Sequence, residues 1–184
     1  MATYISLLRG INVSGQNKIK MDDLKRLFES LNLKNIRTYI QSGNVVFEDD
    51  YTDSGILGKI IEDKILKDIG FKVSVIIRNH EQLKNILLNN PFLTKENEDV
   101  SALYVTFLAE QPNAPTVEKI SEINTVTDEF RLIGRDIYLF CPDGYGRTKL
   151  NNSFFERKLK LKATTRNWRT INELNEIANS NVID

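Results

Sequence analysis

Three short segments hold the residues whose types and spacing could do chemistry. In the first, Arg9-Gly10-Ile11-Asn12-Val13-Ser14-Gly15-Gln16-Asn17-Lys18, the side chains of Arg9, Asn12 and Lys18 mark a glycine-bearing loop between an apolar run and a helical pattern. Backbone amides in such a strand-to-helix loop converge on an oxyanion, and the two cations would neutralise it. The glycines have the separation of a P-loop, but Gln16 and Asn17 stand where that motif needs Lys and Ser or Thr, and Lys18 comes too late. That removes an orthodox nucleoside triphosphate site and leaves a broader anion-binding loop or a loop shaped for packing. In the second segment, Gln41-Ser42-Gly43-Asn44, the Ser42 hydroxyl and Asn44 amide could read a ligand or bond the local backbone of a turn. In the third, Thr164-Thr165-Arg166-Asn167-Trp168, Arg166 could hold a phosphate or carboxylate through two parallel hydrogen bonds, while Asn167 could orient it or cap the following helix.

Catalytic machinery is scarce. His80 is the only histidine and Cys141 the only cysteine. The usual zinc ligand sets and an internal disulfide are therefore excluded, and a Ser-His-Asp or Cys-His arrangement exists only if His80 supplies it. Thr38, Tyr39 and Ser42 are hydroxyls without an evident base, and His80 follows Asn79 at a helix start with no visible partner. Glu48, Asp49, Asp50 and Asp53 precede a helix whose dipole accounts for them, so neither a metal nor a cofactor is expected. No general base can be named, and the sequence leaves open whether the protein is an enzyme.

Lys+Arg and Asp+Glu number 25 each, so no global charge drives the chain to nucleic acid or to an anionic membrane. Neutrality conceals an asymmetry. From Arg147 to Arg169 eight cations face a single acid, Glu156. Tyr145, Phe154, Phe155 and Trp168 lie among them, able to stack bases or to form core behind a solvated face. Ile40 to Phe47 fails the aromatic signature of an RNA-recognition strand, since Ser42 and Asn44 stand where stacking rings belong; Tyr4 and Tyr104 read as core. No apolar run approaches the roughly 18 residues of a membrane span. Met1-Ala2-Thr3-Tyr4 lacks the layout of a signal peptide, so a cytoplasmic protein is expected.

These segments must be positioned by a repeating element pattern. Thr3 to Arg9 reads as a buried strand, and Met21, Leu24, Leu27, Phe28 and Leu31 recur at helical spacing. Strands are predicted over Asn35 to Ile40 and Asn44 to Glu48, a helix from about Asp53 to Ile69 stopped by Gly70, and a strand from Phe71 to Arg78. This is the β-α-β-β-α-β, ferredoxin-like order. Asn79 with Gln82 resembles a capping box opening a helix through about Asn89. The pattern then restarts: strand Ala102 to Leu108, helix Pro115 to about Asn124, strands Glu129 to Ile133 and Ile137 to Cys141, and a helix near Ser153 to Leu159. No final strand is predicted; a helix from about Thr170 to Ala178 takes its place. The expected organisation is a ferredoxin-like subdomain over 1–78, a helical connector over 79–99, and a second, modified subdomain with a C-terminal helix over 100–184. Thr3-Tyr4-Ile5-Ser6-Leu7-Leu8 and Leu103-Tyr104-Val105-Thr106-Phe107-Leu108 suggest an internal duplication.

Arg9 to Val13 with Gly15 and Lys18, Thr38 to Phe47, and Thr164 to Trp168 together resemble the bacterial domain of unknown function family 1697, most specifically in the middle segment. Ser14 stands where glycine is usual in that family. The resemblance implies a cytoplasmic α+β protein of two related subdomains, and it implies no activity. The functional expectation is binding of a phosphorylated or other anionic ligand through Arg9, Asn12, Lys18, Ser42, Asn44, Arg166 and Asn167. The alternatives are a nucleic-acid-binding protein using the basic C-terminal third, which is not favoured, and an enzyme acting on a phosphate-containing metabolite. No membrane partner is expected, and no oligomeric state follows.

Overall fold

The computed structural model describes residues 1–50, 53–93, 100–121, 123 and 125–180. The chain forms two compact units, Met1–Asn85 with Asn172–Asp184, and Ile86–Ile171.

In the first unit the order is β1 (Ala2–Leu8), α1 (Met21–Glu29), β2 (Lys34–Tyr39), β3 (Asn44–Asp49), α2 (Ser54–Ile69) and β4 (Val75–Asn79). The strands form one antiparallel sheet in the order β2-β3-β1-β4. The α2 helix begins where Asp53 accepts from the N–H groups of Gly55 and Ile56, and it ends at Gly70, whose φ of 95° suits a residue without a Cβ. Alternate residues Tyr4, Leu8, Val45, Phe47, Val75 and Ile77 of the sheet bury against Leu24, Phe28, Leu57, Ile61 and Ile65 of the two helices. Burial of that apolar face is what holds α1, which at nine residues is too short to persist as an isolated helix.

The helix α3 (His80–Leu88) follows, opened by the reciprocal box expected from its sequence: Asn79 N donates to Gln82 Oε1 at 3.0 Å and Gln82 N to Asn79 Oδ1 at 2.8 Å. The second unit then repeats the order with β5 (Leu103–Leu108), α4 (Ala114–Ser121), β6 (Glu129–Ile133), β7 (Asp136–Phe140), α5 (Asn152–Leu159) and β8 (Ala163–Asn167), in the sheet order β6-β7-β5-β8. The α6 helix (Trp168–Asn179) ends the described chain's regular structure. The expected helix end at Asn124 lies outside the described residues, as does the acidic part of the connector, 94–99.

The registers about the two central strands, β1 and β5, correspond, whereas β2–β3 carries a shift between Lys34 and Arg37 and β6–β7 runs without one. Tyr4 opposes Phe47 and Asn79, and Ile5 opposes Val46 and Arg78. Tyr104 opposes Leu139 and Asn167, and Val105 opposes Tyr138 and Arg166. Even the helix-to-strand ties recur: Glu62 accepts from Val75 N at 2.8 Å, and Glu156 from Ala163 N at 3.1 Å.

Besides small shifts in strand ends, the largest being β4, which begins at Val75 where a strand was expected from Phe71, two features differ from the sequence reading. The final strand is present: β8 occupies Ala163–Asn167, a stretch rich in threonine whose lack of apolar alternation hid it. Its Thr164 and Arg166 are nevertheless buried, so the strand is set by pairing with β5. Residues 172–180 group with the first unit, whereas a linear division joins them to 100–184. Within that unit Arg37 Nη1 donates to Ser180 Oγ at 2.6 Å, and His80 Nε2 lies 3.1 Å from Asn175 Oδ1. No helix among the described residues is long and apolar enough to cross a membrane.

Candidate functional site

The loop from Gly10 to Lys20 is shaped by an unusual density of left-handed backbone. Asn12, Ser14 and Asn17 have φ of 55°, 51° and 47°, alongside Gly10 and Gly15. Asn residues tolerate this region, and here they also hold it. Asn12 Nδ2 donates to Ile19 O at 2.9 Å and to Gln41 O at 2.8 Å, while Asn12 Oδ1 accepts from Ile19 N at 2.9 Å. Asn17 Nδ2 reaches Gly10 O at 3.2 Å. Asn12 thus closes the loop on itself and ties it to the β2–β3 turn.

That turn is built to receive the loop. Ile40 is left-handed at φ 48°, a costly conformation for a β-branched residue, and it ends β2 one residue earlier than its sequence suggests. Gly43 follows at φ 75°, with Ile11 Cδ1 only 2.6 Å from where a Cβ would sit. Asn44 is fully buried, its Nδ2 donating to Tyr39 O at 3.1 Å and to Ser42 Oγ at 2.9 Å. The first two sequence segments, Arg9–Lys18 and Gln41–Asn44, therefore form one packed corner of the first unit.

In front of this corner lies a cleft of about 1220 Å³, lined by Asn12, Gly15, Lys18, Lys20 and Gln41 together with Met21, Asp22, Asp23, Arg26 and Leu27 of α1 and Asp68 and Ile69 of α2. Its charges divide by partner. Asp23 is paired with Arg26, and Asp68 with Lys64 at 2.9 Å. Lys18, Lys20 and Asp22 have no ion-pair partner among the described residues. The unsatisfied balance is one positive charge. It sits at the start of α1, where Lys20 occupies the cap position without a side-chain hydrogen bond to the helix amides.

Of the seven residues singled out by sequence, Asn12 and Lys18 line the cleft. Arg9, Ser42 and Asn44 belong to the same unit but not to the lining. Arg9 N continues the sheet by donating to Ser74 O at 2.8 Å. Arg166 and Asn167 belong to the other unit. There Arg166 is buried, with Nη1 donating to Thr164 Oγ1 at 2.8 Å and Thr165 O at 2.9 Å, and Asn167 Oδ1 caps α6 by accepting from Thr170 N at 2.8 Å. Sequence reasoning missed Lys20, Arg26, Gln41 and Asp68. Lys20 and Gln41 were legible as neighbours of chosen residues, but Arg26 and Asp68 meet only because α1 and α2 share one sheet face.

Other candidates have structural duties. Asp53 caps α2, Glu48 Oε2 accepts from Asn35 Nδ2 at 2.7 Å, and Asp50 pairs with the amino terminus at 3.2 Å. No group of metal-ligating side chains occurs among the described residues. Phe155 and Trp168 are buried, and Tyr4 stacks on Phe47 inside the first core. The Cys141 thiol is fully buried, and that burial pushes it up to about 11 against the opposing hydrogen bond of Thr148. The His80 imidazole is lowered from 6.5, by burial first, with Lys84 adding and the Asn175 hydrogen bond opposing.

A family model described as a protein of unknown function, DUF1697, matches residues 1–138. Among solved structures, the conserved bacterial protein SP0830 from Streptococcus pneumoniae is similar at 23% identity, covering 96% of this chain and 98% of its own, with a TM-score of 0.75. No curated protein matches the chain.

Proposed function

The chain belongs to the DUF1697 family, and from that premise we propose that it is a binding protein for a small phosphorylated or otherwise anionic ligand, taken into the cleft of the first unit. One observation carries this reading: after internal pairing, the cleft retains Lys18 and Lys20 against Asp22 alone, beside an uncapped helix start. Lys18 and Lys20 supply charge, and the N–H groups of the left-handed loop and of the first turn of α1 supply donors. Asn12 holds the loop in the shape that presents them. The apolar side chains of Met21, Leu27 and Ile69 would face the remainder of the ligand. We place the protein in the cytoplasm, a reading that agrees with a single buried cysteine and no disulfide framework. We also read the two units as products of a duplication, which the matching registers support.

Thermal unfolding against inorganic phosphate, nucleotides, sugar phosphates and carboxylates tests the reading. A ligand at a hundred times its dissociation constant stabilises by about 2.7 kcal/mol. A selective shift that Lys18→Ala and Lys20→Ala each reduce is the expected result. Silence across the panel, or a shift indifferent to both substitutions, removes it.

A further inference from the structure

We propose that the second unit carries a separate surface for the phosphodiester backbone of a nucleic acid, formed by the cations at the two ends of α5. Arg157 and Lys158 lie in its last turn, Lys160 is its left-handed cap at φ 58°, and Lys162 leads into β8. Arg147 and Lys149 lie just before its start. All six are exposed. The eight residues of α5 separate the two groups by about 12 Å, a span along which a duplex presents about seven phosphate charges.

Three observations distinguish this surface from an ordinary solvated helix. On the other helices most surface cations are neutralised in place, Arg26 by Asp23, Lys59 by Asp63, Lys64 by Asp68 and Lys84 by Glu81, and those without a partner among the described residues, such as Lys25 and Lys67, stand singly, whereas six gather around α5. None of the six cations around α5 has an ion-pair partner among the described residues. The single acid of the stretch, Glu156, is committed to the Ala163 N–H.

The chemistry of the surface also selects the kind of partner. The large exposed apolar side chains of the described residues include none between Gly134 and Thr170. A protein interface needs buried aromatic or aliphatic anchors, and an interfacial membrane helix needs an apolar face to insert. A surface of unpaired Lys and Arg with neither of these matches a polyphosphate, which is held by charge and releases counterions. Phe155 and Trp168 are buried, and Tyr145 and Phe154 are half-buried against the second core, so among the described residues of this stretch no fully exposed ring offers a platform for bases, and recognition is of the backbone and independent of sequence.

Fluorescence anisotropy of the whole chain with labelled single-stranded RNA, single-stranded DNA and duplex DNA of equal length, across a salt series, tests this. Binding to at least one of them at 50 mM salt is expected, with log affinity falling linearly against log salt. The combined variant Arg157→Gln, Lys158→Gln, Lys160→Asn, Lys162→Gln should weaken binding more than tenfold at 50 mM salt and lower the slope by about 3. Arg147→Gln with Lys149→Gln, at the other end of the helix, should weaken it independently, which keeps the test valid if the larger variant unfolds. Lys18→Ala should leave it unchanged. Absence of binding at 50 mM salt, binding indifferent to both sets of substitutions, or equally tight binding to polyglutamate or anionic vesicles would overturn the proposal.

Discussion

Asn12 and Lys18 both line the cleft, yet they do different work, and substitution separates them. The Asn12 amide uses its two donors and its acceptor on the backbone of the loop and turn. Asn12→Ala should cost about 2 kcal/mol of stability and lose ligand binding with it, read by denaturant unfolding. Lys18 is exposed and has no ion-pair partner among the described residues, so Lys18→Ala should leave stability within about 0.5 kcal/mol and affect affinity alone. Sequence identified both residues, but it could not assign the roles, because the partners of Asn12 are main-chain groups whose positions depend on three left-handed residues. Ser14 is one of these; Ser14→Gly should stabilise the protein by about 0.5 to 1 kcal/mol, visible as a rise in Tm. Cys141 gives a further check. Its thiol, fully buried and raised to about 11, should resist a disulfide reagent in the native protein at pH 8 and react once denaturant opens the second unit.

Elements with clear punctuation were legible, and the one without it was not. Both α2 and α3 announce themselves through Asp53, Gly70 and the Asn79–Gln82 box, and all three signals are present in the structure. β8 carries no such signal. Its threonines and arginine look like a polar loop or a binding segment, and only pairing with β5 makes them a strand. The element after it is capped by Asn167, three residues ahead of Thr170, where the helix was expected to open. Asn79 and Asn167 thus do the same job at the ends of equivalent strands. Asn79→Ala and Asn167→Ala should each cost about 1 kcal/mol, measured by chemical denaturation, and the two losses should add because the sites belong to different units. A cost confined to one of them would show that the matched geometry is not matched in energy.

At the scale of the molecule, stability on the acid side depends on the junction where His80 meets Asn175 of α6. Burial holds the folded imidazole below 6.5, so the unfolded chain binds the proton more readily. The stability gained by keeping it neutral is fully present above pH 6.5 and is lost as pH falls from there through the folded value. Melting temperature followed from pH 8 to pH 5 should therefore decline below about pH 6.5, and His80→Gln should flatten that part of the profile. A decline of the same size in the variant would assign it to other groups. Neither half of that junction could be paired by sequence, since residues 80 and 175 come together only because the end of the chain returns to the first unit.

That return also imposes an order on synthesis. Residues 1–85 leave the ribosome first, but the helix that completes their unit is translated only after the whole of the other one. At about 5 to 20 residues per second, the early strands wait roughly 5 to 20 s for their last partner. Leu174 and Ala178, buried in the finished protein, arrive at the end of that interval. The nascent chain is thus exposed to aggregation through its first unit, and a chain cut short just after β8 has every strand of both sheets but still lacks the helix that closes the first unit.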